Sequence, residues 1–215
     1  METVNTPQEY TRLTALLVYL AAQCESLGKP LGLTFLNKVL YYIDFGHFAK
    51  HKSAITHLHY KKNQFGPVPA DLSYYLGELV NEGILRMQPH QYPTTGKEGL
   101  VVGTGRTKEA PILLEVFDPD ERNTILKTLE ALSAMTPTEV SKRSHYDYTW
   151  TVAEMHGDIP IEGAKFCDFE WLGYFTNGKT AEDFQALQKL RAALQADPKV
   201  RSAFDRINKK LGKKS

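Results

Sequence analysis

Apolar residues recur along this chain at helical and strand periods, and the switches between them mark out the elements. Leu13, Leu16, Leu17, Leu20, Cys24 and Leu27 follow at three- and four-residue steps, so the spacing predicts a first helix over residues 7–27. Thr6-Pro7-Gln8-Glu9 is a capping box with proline at the first helical position, and Gly28-Lys29-Pro30 ends the run. Over 33–50, Leu33, Leu36, Leu40, Ile43 and His47 recur on one face, while Val39, Tyr42 and Phe45 fill much of the opposite side. A helix apolar nearly all round belongs in the middle of a core. Leu58 and Tyr60 then alternate with polar neighbours, which predicts a short half-buried strand over 56–62. Gly66-Pro67-Val68-Pro69 reads as a stiff corner, because each proline fixes its own φ and restricts the residue before it. Pro69 suits the first position of a third helix over 69–82, which carries Leu72, Leu76 and Leu79 and stops at Gly83.

Two strands are expected over 84–87 and 100–102, joined by a long loop holding Pro89, Pro93, Gly96 and Gly99. A polar, mobile loop is expected over 103–111. Asp118-Pro119-Asp120-Glu121 caps a fourth helix with Ile125, Leu129 and Leu132 inward. Thr136-Pro137-Thr138-Glu139 repeats the capping box and opens a short helix to Ser144; another follows over 148–155. Beyond Ala164 comes a dense aromatic segment: Phe166, Phe169, Trp171, Tyr174 and Phe175. Two further helices are predicted, one capped by Thr180 and one by Asp197-Pro198, the second carrying Val200, Phe204, Ile207 and Leu211. The expected fold is mainly α with a small antiparallel β element (α+β), in a winged-helix-like order. Residues 1–163 form one domain, and 164–215 a C-terminal helical pair packed on it.

Composition narrows the class. Of 215 residues, 42% are hydrophobic and 24% charged, as in ordinary globular proteins. The net charge of +1 supplies no global attraction to nucleic acid or an anionic membrane. The polar start METVNTPQEY has no basic segment, which speaks against a secretory signal. Residues 15–22 are too short an apolar run to cross a bilayer. Cys24 and Cys167 are the two cysteines, and two free thiols fit a cytoplasmic protein.

Three pieces in order carry a family resemblance. They are Lys38-Val39-Leu40-Tyr41-Tyr42-Ile43-Asp44-Phe45-Gly46-His47; then Tyr60 with Phe65-Gly66-Pro67-Val68-Pro69; then Ser144-His145 followed by Trp150. Together they resemble the Panacea, or SocA-like, domain, with Val39 where the family usually has Leu. The resemblance implies an antitoxin of a bacterial or phage toxin–antitoxin system, a protein-binding domain and not an enzyme, with no metal or other cofactor. The implied partner is a cognate protein toxin, neutralised by direct contact. A second reading delivers the toxin to an ATP-dependent protease, and a third makes the chain a DNA-binding autoregulator. The motif residues Lys38, Tyr41, Asp44, His47, Tyr60, Phe65, Gly66, Pro67, Val68, Pro69, Ser144, His145 and Trp150 are expected to act mainly as scaffold, with some contact to the partner. Phe169, Trp171, Tyr174 and Phe175 are the candidate partner surface, since aromatics are the usual interface anchors.

Asp44, His47 and His51 share a helical face, with His57 and His59 nearby, but no H-E-x-x-H motif and no cysteine pair completes a zinc site. A buried polar pair or a set of backbone caps is the expectation there. Ser144, His145 and Asp147 hold the letters of a hydrolase triad, but neighbours on one segment rarely converge on a common centre. The expected arrangement is a helix end with a buried contact between His145 and Trp150. The third helix would enter a DNA groove in a winged-helix protein. It holds Asp71, Glu78 and Glu82 and no Lys or Arg, so it would repel phosphates.

Overall fold

The computed structural model describes residues 7–93, 96–105 and 112–172. The chain divides into two units, Met1–Phe175 and Thr176–Ser215. The helices predicted beyond Thr180, and Tyr174 and Phe175, lie outside the described residues, as does most of the loop over 103–111. The first unit runs past the expected boundary at 163, because Ala164, Phe169 and Leu172 are buried in the same core as the central helix.

Helix α1 (Pro7–Ser26) buries Leu13, Leu16, Leu17, Leu20 and Cys24 of the predicted stripe, while Leu27, its last member, lies just past the helix end and is exposed. Strand β1 (Leu31–Gly32) follows and leads straight into α2 (Leu33–His51). Strands β2 (Tyr60–Asn63) and β3 (Gly66–Pro69) form a hairpin, then come α3 (Leu72–Asn81), β4 (Leu85–Gln91) and β5 (Glu98–Thr104). A 3-10 turn at Ile112–Val116 precedes α4 (Pro119–Ser133), α5 (Pro137–Ser144) and α6 (Tyr148–Val152), and short 3-10 turns at Ile161–Phe166 and Glu170–Leu172 follow. The predicted caps of α4 and α5 are formed as capping boxes, by Asp118 with Glu121 and by Thr136 with Glu139, while Thr6 of the box predicted at the first helix lies outside the described residues.

The larger sheet has the order β1-β5-β4, all antiparallel. With α1, α2 and α3 this is a winged-helix arrangement in which the β2–β3 hairpin is inserted between the second and third helices. The fold is mainly α with a small antiparallel β component, as expected. Strand β1 was not anticipated: two residues are too few to show a period. Strand β4 runs through Pro89, which an edge strand tolerates because its outer N–H has no ladder partner to lose.

The proline corner is itself a strand. Pro67 lies opposite Lys62 and Pro69 opposite Tyr60. Lys62 spends its backbone groups on the other side, donating to the Gly157 carbonyl at 2.9 Å and accepting from the His156 N–H at 2.9 Å. The Tyr60 carbonyl likewise accepts from the Ile159 N–H at 2.7 Å. Both prolines therefore sit at rungs that need no N–H, and residues 156–159 cover the outer edge of β2. Pro69 ends this strand and does not open α3, which begins at Leu72 after Asp71.

Helix α2 is the axis of the unit. Every residue from Lys38 to His47 is buried. Its surface meets α4, α5, β3, β1, β5 and the Ile161–Phe166 turn. Enclosure on all sides explains the missing polar face in the sequence.

Candidate functional site

The polar residues of α2 are deep in the core, and each is matched to a donor or acceptor that arrives from a later segment. Asp44 is fully buried. Its carboxylate accepts from the Ile55 N–H at 3.0 Å, the Thr56 N–H at 2.7 Å, the Tyr60 hydroxyl at 2.7 Å and the Thr56 hydroxyl. Burial pushes this carboxyl up from its usual range, and the four donors pull it back. The result is a cap that holds the 55–60 segment against the helix.

Nearly two turns earlier on the same helix, Lys38 reaches the hairpin. Its Nζ donates to the Pro67 carbonyl at 2.9 Å. Among the described residues no carboxylate pairs with it, and burial pulls the ammonium down to about 7. Gly66 has φ of +98°, a region that favours glycine. A Cβ there would lie 2.6 Å from Lys38 Cε, 3.0 Å from its Nζ, and closer still to the Ser144 hydroxyl. Lys38, Gly66 and Ser144 are thus one packed junction, in which Ser144 donates to the Ser141 carbonyl at 2.8 Å.

Tyr41 and Tyr42 meet the segment after α5. The Tyr41 hydroxyl shares a hydrogen bond with Thr149 at 2.8 Å. Burial raises the pKa of both tyrosines, and the nearby buried Asp147 carboxylate raises it further. Cys167 lies 3.7 Å from the Thr149 hydroxyl, its thiol pushed up to about 11 by burial, which makes it a poor nucleophile. His47 turns to α4, where its Nδ1 meets the Thr124 hydroxyl at 3.0 Å. Its ring stacks on His51 at 4.4 Å. Burial, with the neighbouring His51, pushes His47 down to about 4. Asp44 and His47 are therefore two separate anchors and not a pair.

The third motif clasps the hairpin from outside. His145 stacks on Trp150 at 4.1 Å, the contact expected from the sequence, though both residues are half-buried where a buried contact was expected. The Trp150 N–H donates to the Asn63 carbonyl at 3.2 Å, and Lys62 Nζ lies 4.1 Å over the indole ring. Ser141 donates to the Phe65 carbonyl at 2.7 Å. Ser144, His145 and Asp147 each face a different neighbour, so the letters of a triad do not make one. Among the described residues no three His, Cys, Asp or Glu side chains come together as metal ligands.

Of the expected partner-surface residues, Phe169 is core and Trp171 is half-buried against it. Phe169 is buried and packs edge-on against Tyr42 at 6.0 Å. Trp171 meets Tyr42 at 5.0 Å and lies under the Arg143 guanidinium at 3.9 Å. The apolar central helix needs aromatic cover, and these rings supply it. Conversely, Phe65 is 60% exposed while the residues beside it in the motif are buried. The partners Thr56, Thr124, Ser141, Thr149 and Asp147 carry no local signal. Only the long-range topology assigns them.

The sequence matches the family described as Antitoxin SocA-like, Panacea domain, over residues 36–151, more than half of the chain, and the protein belongs to that family. No curated protein and no solved structure matches it. The matched stretch begins in α2, ends in α6 and contains every anchor described above. No described helix is long and apolar enough to cross a membrane.

Proposed function

We propose that the protein is an antitoxin that neutralises a cognate toxin by direct protein–protein contact, covering the toxin's active site or holding it inactive. The observation that carries this reading is family membership across residues 36–151. The anchors described above support it. They spend the polar groups of the motif on holding α2, the hairpin and α5–α6 together, which leaves specificity to exposed side chains on that frame. Binding needs no turnover chemistry, so the protein acts stoichiometrically and not as an enzyme. The test is paired expression in a bacterial host with the product of a toxic reading frame adjacent to this one. Growth restored by the wild-type chain, together with co-purification of the two proteins, is the expected result. Unrelieved toxicity with both proteins present would overturn the reading.

A further inference from the structure

Phe65 stands apart from the rest of the motif. It sits in the two-residue turn Gln64–Phe65 between β2 and β3 and is 60% exposed. Exposed turn residues are ordinarily small or polar, because loop tips face water. This turn is also held on both sides. Asn63 accepts from the Trp150 indole, the Phe65 carbonyl accepts from Ser141, Gly66 is packed on Lys38 and Ser144, and the Pro67 carbonyl accepts from Lys38. An apolar ring on a fixed backbone loses little conformational freedom when it is buried by a partner.

The surroundings add a charge. Lys142, one residue beyond Ser141, is exposed; Lys62 and Arg143, half-buried beside the same turn and helix end, lie against Trp150 and Trp171. Of the nearby carboxylates, Glu139 closes the α5 capping box, Asp147 is buried, and Asp158 lies in the 156–159 segment on the outer edge of β2, where its backbone bridges Lys61. Tyr146, 80% exposed on the α5–α6 link, adds a second aromatic near the clasp.

Resting on the antitoxin reading, we infer that the Phe65 turn is the anchor of the toxin-binding surface. Phe65 enters an apolar pocket on the toxin, and Lys142 and its neighbours meet a carboxylate-rich rim around that pocket. Anchors of this kind dominate interface energies, and the rim charges set the association rate.

The experiment measures binding of the purified product of the adjacent toxic reading frame to wild type, Phe65→Ala, Lys142→Glu and Tyr74→Ala. Phe65→Ala is expected to weaken binding about thirtyfold while keeping the wild-type melting temperature. Lys142→Glu is expected to slow association and to lessen its salt dependence. Tyr74, exposed on α3, is expected to tolerate alanine without effect. Wild-type affinity in both the Phe65 and Lys142 variants would overturn the inference and leave the antitoxin reading intact. Absence of binding by the wild type would overturn both. Sedimentation of the antitoxin alone tests a second copy as occupant: a dimer that Phe65→Ala converts to monomer would assign the turn to self-association and overturn the inference. Should Phe65→Ala lose its fold, Lys142→Glu, a change on an exposed helix surface, carries the test.

Discussion

Lys38 Nζ and the Pro67 carbonyl meet at 2.9 Å in the buried centre of the protein, 29 positions apart in sequence. The contact ties the first motif to the second, and Ser144 of the third packs against the same point. Three short sequence signatures are thereby one structural junction. Its geometry depends on Gly66 having no side chain.

Gly66→Val should destabilise the protein by about 3 kcal/mol, from an unfavourable backbone region and from overpacking against Lys38 and Ser144. Urea unfolding of the two proteins measures this. An unchanged midpoint would mean that the hairpin can shift to make room, and that the junction is looser than its packing indicates.

Asp44→Ala should be costly for a different reason. It leaves the Ile55 and Thr56 amides and two hydroxyls without their buried acceptor. Each unsatisfied group costs about 1–3 kcal/mol, so a loss of at least about 3 kcal/mol is expected. Asp44→Asn, which keeps one acceptor oxygen, should fall between the two in the same unfolding assay. Equal stability of all three proteins would contradict the role assigned to this carboxylate.

His47 sets an acid limit. Burial and the neighbouring His51 hold its folded-state pKa at about 4, against 6.5 for an ordinary histidine. Between those values the unfolded chain binds a proton that the native protein does not, so stability falls as pH drops from about 6.5 towards 4. Above 6.5 this group has no effect. His47→Gln, which can keep the bond to Thr124, should flatten that slope. Urea midpoints between pH 7.5 and pH 4.5 decide it: parallel losses in wild type and variant would place the acid sensitivity elsewhere.

Much of this was legible before the fold was in hand. Most of the apolar stripe of α1, the all-round burial of α2 and the caps of α4 and α5 follow from local spacing, and local spacing is what a sequence displays. The His145–Trp150 contact was legible for the same reason. Strand β3 was not, because its prolines mask a strand whose missing N–H groups happen to face away from β2. Phe169, a candidate partner residue in the aromatic segment, is core, since an aromatic ring looks the same in sequence whether it covers a core or a partner. Phe65 shows the converse: its exposure depends on four tethers from distant segments, and none of them has a local signature.

The central claim is neutralisation by contact alone, and growth in a host lacking its ATP-dependent proteases tests it most directly. There the toxic product of the adjacent reading frame is expressed with the wild-type chain or without it, with both protein levels checked by immunoblot. Steric neutralisation predicts full rescue by the wild type, with the toxin still present at its usual level. Return of growth arrest in that host, with the antitoxin undiminished, would contradict the account and show that the toxin must be degraded to be silenced.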